Sequence, residues 1–181
     1  MPDRVAANLI SRRYATVHGA EVVPCFTEFM AQGIGLETVA VLGYRRAERD
    51  RLFLESYLDS PIEQELTQLF GRQILRRDII EIGNLASESA LAMIALWADA
   101  ANDLGGQAEI AVAVLTAPLR SMFRRLGVTL HEIAPATVEK VGETARGWGN
   151  YYQLEPIVCA GFIAEGQERL ARVAKRKVRA A

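Results

Sequence analysis

Between Asp78 and Gly127 the chain switches twice from an apolar, β-branched run to helical spacing. DIIEIGNLA reads as a strand and SESALAMIALWADAANDLGG as a helix closed by Gly105 and Gly106. AEIAVAVLT then reads as a buried strand, and APLRSMFRRLG as a helix with Leu119, Met122, Phe123 and Leu126 on one face, stopped by Gly127. Such a succession belongs to a layered α/β domain. Its strand-to-helix junctions gather backbone donors and strand-end side chains, so a site is expected there.

The flanking segments supply the rest of the sheet. Val5, Leu9, Ile10, Tyr14 and Val17 recur at helical spacing from Arg4 to Val17, with Gly19 as the stop. Val22 to Ala31 reads as extended despite Pro24, and Thr38 to Tyr44 as a second strand. Gly33 and Gly35 turn the two into a hairpin. Leu52 to Leu58 alternates like a further strand. Asp59 or Ser60 then caps a helix with Pro61 in its first turn and Glu63 completing a capping box from Ser60; it runs to Phe70 and stops at Gly71. Val128 to Ile133 is expected as a strand, and Trp148 to Ile163 contains one more. From about Glu165 the chain is a basic helix or a frayed tail. An early meander precedes the alternating half, which predicts one α/β (α+β) domain over residues 1–181 with a mixed, mostly antiparallel central sheet flanked by helices.

With 181 residues, half of them hydrophobic, the chain can bury a proper core. A net charge of -1 argues against nucleic-acid binding, which needs a strong positive field. Cys25, Cys159, His18 and His131 show no metal-ligand spacing. No apolar run approaches the roughly 20 residues that span a bilayer, and the N-terminus lacks a signal-peptide core, so the expected setting is cytoplasmic.

Several residues stand out as candidates for chemistry. If Leu52 to Leu58 is a strand, Glu55 and Tyr57 share the face opposite Leu52 and Leu54, and Glu81 lies opposite Ile80 and Ile82. Neighbouring strands would then aim both glutamates into one cleft, where a carboxylate can deprotonate an incoming amine directly or through water. The plain alternative is a pair of exposed acids, or acids paired with Arg76, Arg77 or Arg124. Gly83 interrupts its strand, which marks a bulge or a close backbone approach. Ser87 and Ser89 offer hydroxyls to an anion at a helix start, although Glu88 would repel phosphate and Ser87 can serve simply as the N-cap. Arg120, Arg124 and Arg125 share a polar helix face that suits a phosphate, an acidic carrier protein or plain solvent. Trp148, Tyr151 and Tyr152 can wall an acyl or substrate pocket or seal the sheet edge. Phe123, His131 and Cys159 read as structural. The terminal QERLARVAKRKVRAA, with Arg169, Arg172, Lys175, Arg176, Lys177 and Arg179, suits a lipid surface, an acidic partner or a solvated tail.

LGYRRA at Leu42 to Ala47, LFLESYLDSPIE at Leu52 to Glu63, IIEIGNLAS at Ile79 to Ser87, LRSMFRRLG at Leu119 to Gly127 and WGNYY at Trp148 to Tyr152 together resemble the bacterial family named thermostable hemolysin. That family is similar to GNAT-type acyltransferases and to acyl-homoserine lactone synthases, so the resemblance implies acyl transfer more than membrane lysis. It implies a splayed central strand whose backbone at Gly83, Asn84 and Leu85 holds a thioester carbonyl, and a donor of acyl-CoA or an acyl carrier protein beside Ser87, Ser89, Arg120, Phe123 and Arg124. The glycine-rich pyrophosphate loop of acetyltransferases is replaced by Ala86 to Ala90. The expected reaction is direct attack by a small amine-bearing acceptor bound near Tyr57, Trp148, Tyr151 and Tyr152. A membrane-active hemolysin, or a binding protein without catalysis, is the alternative.

Overall fold

A computed structural model describes residues 4–34 and 37–178. In chain order the elements are α1 (Arg4–His18), β1 (Glu28–Ile34), β2 (Glu37–Arg46), α2 (Ile62–Phe70), β3 (Ile79–Ser87), α3 (Ala90–Leu104), β4 (Ile110–Leu115), α4 (Ala117–Leu126), β5 (His131–Pro135), α5 (Val138–Val141), β6 (Ile157–Phe162) and α6 (Ile163–Val178). The strands form one sheet in the order β1-β2-β3-β4-β6-β5. The β3–β4 pair is parallel, whereas β1–β2, β2–β3, β4–β6 and β5–β6 are antiparallel. This is the expected mixed, mostly antiparallel sheet of a GNAT-like fold.

Strand alternation decides which helix covers which face. Ala40, Leu42, Ile80 and Ile82 are buried beneath Leu96, Ala100 and Leu104 of α3, Phe123 of α4 and Leu170 of α6. Ile79 and Val112 point the other way, against Leu54, Ile62 and Leu66. On that same side α1 lays Ala6, Leu9, Ile10 and Tyr14 on Val41 and Ala86. Gly19, Gly71 and Gly127 all take positive φ at helix ends, as their spacing predicts.

Three local expectations change. Leu52–Leu58 is not a strand, because Phe53–Tyr57 winds into a short 3-10 helix. Its first amides bond side-chain carboxylates rather than a ladder, so Leu54, Glu55 and Tyr57 are all buried instead of alternating. The strand predicted over Val22–Ala31 begins only at Glu28. The residues before it drape across the sheet and place the Phe26 ring on the Gly43–Gly83 pair. The predicted Ser60–Glu63 capping box does not form. Pro61 is the N-cap, Ile62 N–H donates to Glu55, and Glu63 pairs with Arg76 at 2.8 Å. Of the two readings of the C-terminal segment, the helix holds over Ile163–Val178, which docks on α3 through Leu170. Of the basic positions there, Arg169 and Arg172 pair with Glu165 and Glu168, while the side chains of Lys175, Arg176 and Lys177, and all of Arg179, lie outside the described residues. Gly35 of the hairpin turn also lies outside them. Among the described residues no helix is long and apolar enough to cross a membrane.

A Cβ on Gly83 would stand 2.5 Å from Cζ of Phe26. Gly83→Ala should therefore lower stability by about 1–3 kcal/mol through overpacking. Urea unfolding checks this, and the penalty should shrink in a Phe26→Ala background, because the ring is what the new methyl meets.

Candidate functional site

The sheet opens in its middle. Parallel pairing of β3 with β4 runs from Ile79–Ile110 to Ile82–Ala113 and then stops. Beyond that point β3 stays with β2 through Ser87, while β4 stays with β6 through Leu115. A β-bulge assists the divergence. Val41 pairs with Ala86 and Gly43 with Gly83, so β3 carries an extra residue, and Asn84 takes it up at φ 47°. Asparagine tolerates this left-handed geometry better than most side chains. The opening is a cavity of about 110 Å³ lined by Glu81, Gly83, Asn84 and Leu85 on one strand and by Val114 and Thr116 on the other side. The predicted splay beside the glycine-bearing strand is present.

Glu81 lies at the base of this opening and is 2 % exposed. Its two oxygens accept the backbone N–H groups of Phe53 (2.9 Å) and Leu54 (2.8 Å), so it caps the 3-10 helix. Arg45 Nε stands 3.3 Å from Oε2. Burial raises the carboxyl to about 7; the two amides and Arg45 oppose it, and desolvation wins. Arg45 is itself fixed, with its guanidinium 4.3 Å above the Phe26 ring and an N–H on the Cys25 carbonyl. The ring that forbids a side chain at Gly83 thus also seats the cation beside Glu81.

Glu55 goes elsewhere. Its oxygens accept Leu52 N–H and Ile62 N–H and meet Arg76 at 2.7 Å, on the far side of the 3-10 helix. Burial alone would raise this carboxyl, but Arg76 and the two amides outweigh it and hold it below the usual range. The two glutamates do not share the cleft, because the segment expected to be a strand curls and turns Glu55 away. Arg76 also bonds the carbonyls of Ala47 and Asp50, which makes it a clasp between the end of β2 and the start of α2.

The predicted aromatic wall divides. Tyr57, Trp148 and Tyr151 line the cleft, whereas Tyr152 sits behind it with its hydroxyl 2.8 Å from that of Tyr57. Phe53 stacks on Trp148 at 6.0 Å and completes the wall. Ser87 and Ser89 are committed locally. Ser87 Oγ donates to Ser89 O at 2.8 Å, and Ser89, not Ser87, is the N-cap of α3, accepting Ala92 N–H. Glu88 is neutralised by Arg12 of α1. Arg120 is not on a solvated face. It is 9 % exposed and donates to the carbonyls of Leu115 (2.7 Å) and Glu155 (2.6 Å), with Glu132 at 3.3 Å. Arg124 is exposed beside it. Phe123 packs edge-on to Trp97 at 4.9 Å and walls a second, apolar cavity of about 70 Å³. Ile82, Trp97, Ala113 and Leu115 line both cavities.

His18 and Cys25 also line the cleft, and neither was singled out from the sequence as a cleft residue. Cys25 donates toward Asn84 Oδ1 at 3.8 Å, and burial, ahead of the opposing Arg45, raises its thiol above the ordinary range. Neither residue has a local sequence signal. Cys25 comes to the cleft because the 20–27 segment folds back over β2 and β3, and His18 because the loop at Gly149 and Asn150 holds the end of α1.

The model of the family described as thermostable hemolysin matches residues 2–167. No protein of curated function matches by sequence. Among solved structures the chain is similar to TofI in an apo form, at 16% identity over 94% of this chain and 91% of that one, with a TM-score of 0.58. It is similar to FeeM, an N-acyl amino acid synthase from uncultured soil microbes, at 13% identity over 92% and 93%, TM-score 0.58. It is also similar to BjaI, a CoA-dependent acyl-homoserine lactone synthase solved with SAM and isopentyl-CoA, at 14% identity over 92% and 80%, TM-score 0.58. These likenesses establish the shared fold.

Glu81 should leave a signature in stability. Its carboxyl rises from 4.5 to about 7 on folding, so between those values the folded state keeps a proton that the unfolded state has lost. Stability from this group is complete at acid pH and lost as pH climbs through about 7. Relative to Glu81→Gln, which does not titrate, the native protein should lose up to about 3 kcal/mol between pH 5 and pH 8. Urea unfolding of both proteins at the two pH values measures it.

Proposed function

This chain belongs to the thermostable hemolysin family, and from the acid-floored opening between β3 and β4 we propose that it is an acyltransferase. In this reading it moves an acyl group from a thioester to a small amine-bearing acceptor. The observation that carries the proposal is Glu81, buried at the base of the cleft with its carboxyl raised to about 7. Such a group is poised near the operating pH of a general base.

The reaction is direct attack. The thioester carbonyl lies along the backbone of Gly83, Asn84 and Leu85, where no strand of β4 competes for the edge. Amides there stabilise the oxyanion as the amine nitrogen bonds to the carbonyl carbon. The nitrogen's proton passes to Glu81, directly or through a water, and as the carbon–sulfur bond breaks the departing sulfur takes that proton, which releases the thiol and restores the carboxylate. The acyl chain runs into the apolar chamber walled by Trp97 and Phe123. Tyr57, Trp148 and Tyr151 form the acceptor's side of the pocket. The donor is an acyl-CoA or an acyl chain on a carrier protein's phosphopantetheine, with exposed Arg124 available to its phosphate. Two of the similar proteins support this reading, being an N-acyl amino acid synthase and a CoA-dependent acyl-homoserine lactone synthase.

Incubating the protein with acyl-CoAs and acyl-carrier thioesters in a mixed amine pool, followed by mass spectrometry, should reveal an acylated amine. Glu81→Gln should reduce its formation by about 10²–10⁴-fold. Native turnover should fall as pH drops through about 7, where Glu81 takes up its proton. Glu55→Gln should lower stability while leaving that pH profile in place, since Glu55 braces α2. Turnover unchanged by Glu81→Gln would refute the assignment of the base.

A further inference from the structure

The cleft does not stay on one side of the sheet. Glu81 faces the 52–57 segment, whereas its neighbour Ile82 faces α3, because side chains alternate along β3. Both residues line the cleft, so it passes through the gap between β3 and β4 and emerges beneath Trp97. There it abuts the second cavity, of about 70 Å³. Ile82, Ala113, Leu115 and Trp97 line both spaces. The first three belong to the sheet, and Ile82–Ala113 is the last rung before β3 and β4 part. Trp97, on α3, is the shared side chain that reaches them from the covering helices.

Small residues hollow out the second cavity. Ala100 and Ala101 of α3, Ala111 of β4, Gly161 of β6 and Gly166 of α6 leave room where larger side chains would fill the layer, and no charged side chain lines it. Apolar cavities of this kind stay dry and accept apolar guests. The volume takes about five water-sized groups, and a methylene is of similar size. The Trp97 ring is 8 % exposed and is backed edge-on by Phe123 at 4.9 Å. Its Nε1 has no hydrogen-bond partner among the described residues, although a buried indole N–H usually finds one. Packing alone holds the ring, so turning it aside breaks no hydrogen bond.

We propose that Trp97 determines the acyl-chain length of the donor: its ring divides the cleft from the chamber, so short tails stop against it and medium-length aliphatic tails displace it to enter. The assignment rests on the acyl-transfer reading and deepens it by naming the acyl class. With the thioester carbonyl beside Gly83 to Leu85, a tail that follows the cleft through the sheet meets the ring next. Trp97 makes and breaks no bond; it admits or excludes carbon. Each methylene that reaches apolar wall gains about fourfold in affinity, so specificity follows how far the tail can travel.

The test uses the full chain, the coenzyme A thioesters from butyryl to decanoyl, and the proteinogenic amino acids with S-adenosylmethionine as the amine pool. Thiol release gives kcat/KM for each donor, and calorimetry without amine gives its Kd. Trp97→Leu shrinks the partition. Gly161→Leu fills the chamber from β6, where a Cβ meets nothing closer than the Thr129 carbonyl oxygen at 3.5 Å. The decanoyl-to-butyryl ratio of kcat/KM should rise about tenfold in Trp97→Leu and fall about tenfold in Gly161→Leu, with the affinity ratios moving alongside. If circular dichroism shows Trp97→Leu unfolded, the ratio in Gly161→Leu decides alone. Ratios unchanged in the folded variants overturn the proposal and leave acyl transfer standing. If the native protein releases no thiol from any donor, the acyl-transfer reading falls; affinity ratios that still shift in the stated directions then sustain the chamber as an acyl-binding site behind Trp97, and flat ratios overturn it too.

Discussion

A single carboxylate organises the middle of this molecule. Glu81 takes two backbone amides of the 52–57 segment and the Arg45 guanidinium, and each of those partners is thereby placed. Without the acid, the first turn of the 3-10 helix would carry unsatisfied donors against the sheet, an arrangement that folded proteins avoid. With it, Phe53 and Tyr57 are aimed at the cleft and Arg45 lies over Phe26. The same group is desolvated by that packing, which is why its proton is held more tightly than a surface glutamate's. The packing and the raised proton affinity here come from one cause.

The opening beside Glu81 has a comparably simple origin. A parallel pair and an antiparallel pair meet on β3, and the bulge at Asn84 lets the strand follow β2 while β4 follows β6. Glycines at Gly43 and Gly83 admit Phe26 where any larger residue would push the 20–27 segment off the sheet. That segment brings Cys25 and Phe26 to the cleft, and the loop around Gly149 brings Trp148 and Tyr151 from the opposite end of the chain. The pocket is thus assembled from pieces remote in sequence around a gap that only two strands define.

Much of this was legible from residues alone, and the failures have physical explanations. The run from Ile79 to Leu126 forms the predicted strand–helix–strand–helix, because its long apolar periodicity leaves few alternatives. Glu81 and Gly83 stood out for the same reason, as exceptions within a strong pattern. Leu52–Leu58 misled because a short alternating run is compatible with a 3-10 turn once a distant carboxylate supplies its cap. The pairing of Glu55 with Glu81 was lost with that strand. Arg120 looked solvent-facing on a helical wheel, yet besides the nearby Leu115 carbonyl it meets that of Glu155, which no local window contains. His18 carried no local signal, since its place depends on a loop more than a hundred residues downstream.

The strand order has its own consequence for how the molecule is made. β6, near the end of the chain, is an interior strand wedged between β4 and β5. On a ribosome, β4 therefore emerges with one edge bare and must wait for residues 157–162 before the sheet is whole. Until then its hydrophobic IAVAVL run is open to pairing with other chains, and biogenesis depends on how quickly synthesis delivers the final strand.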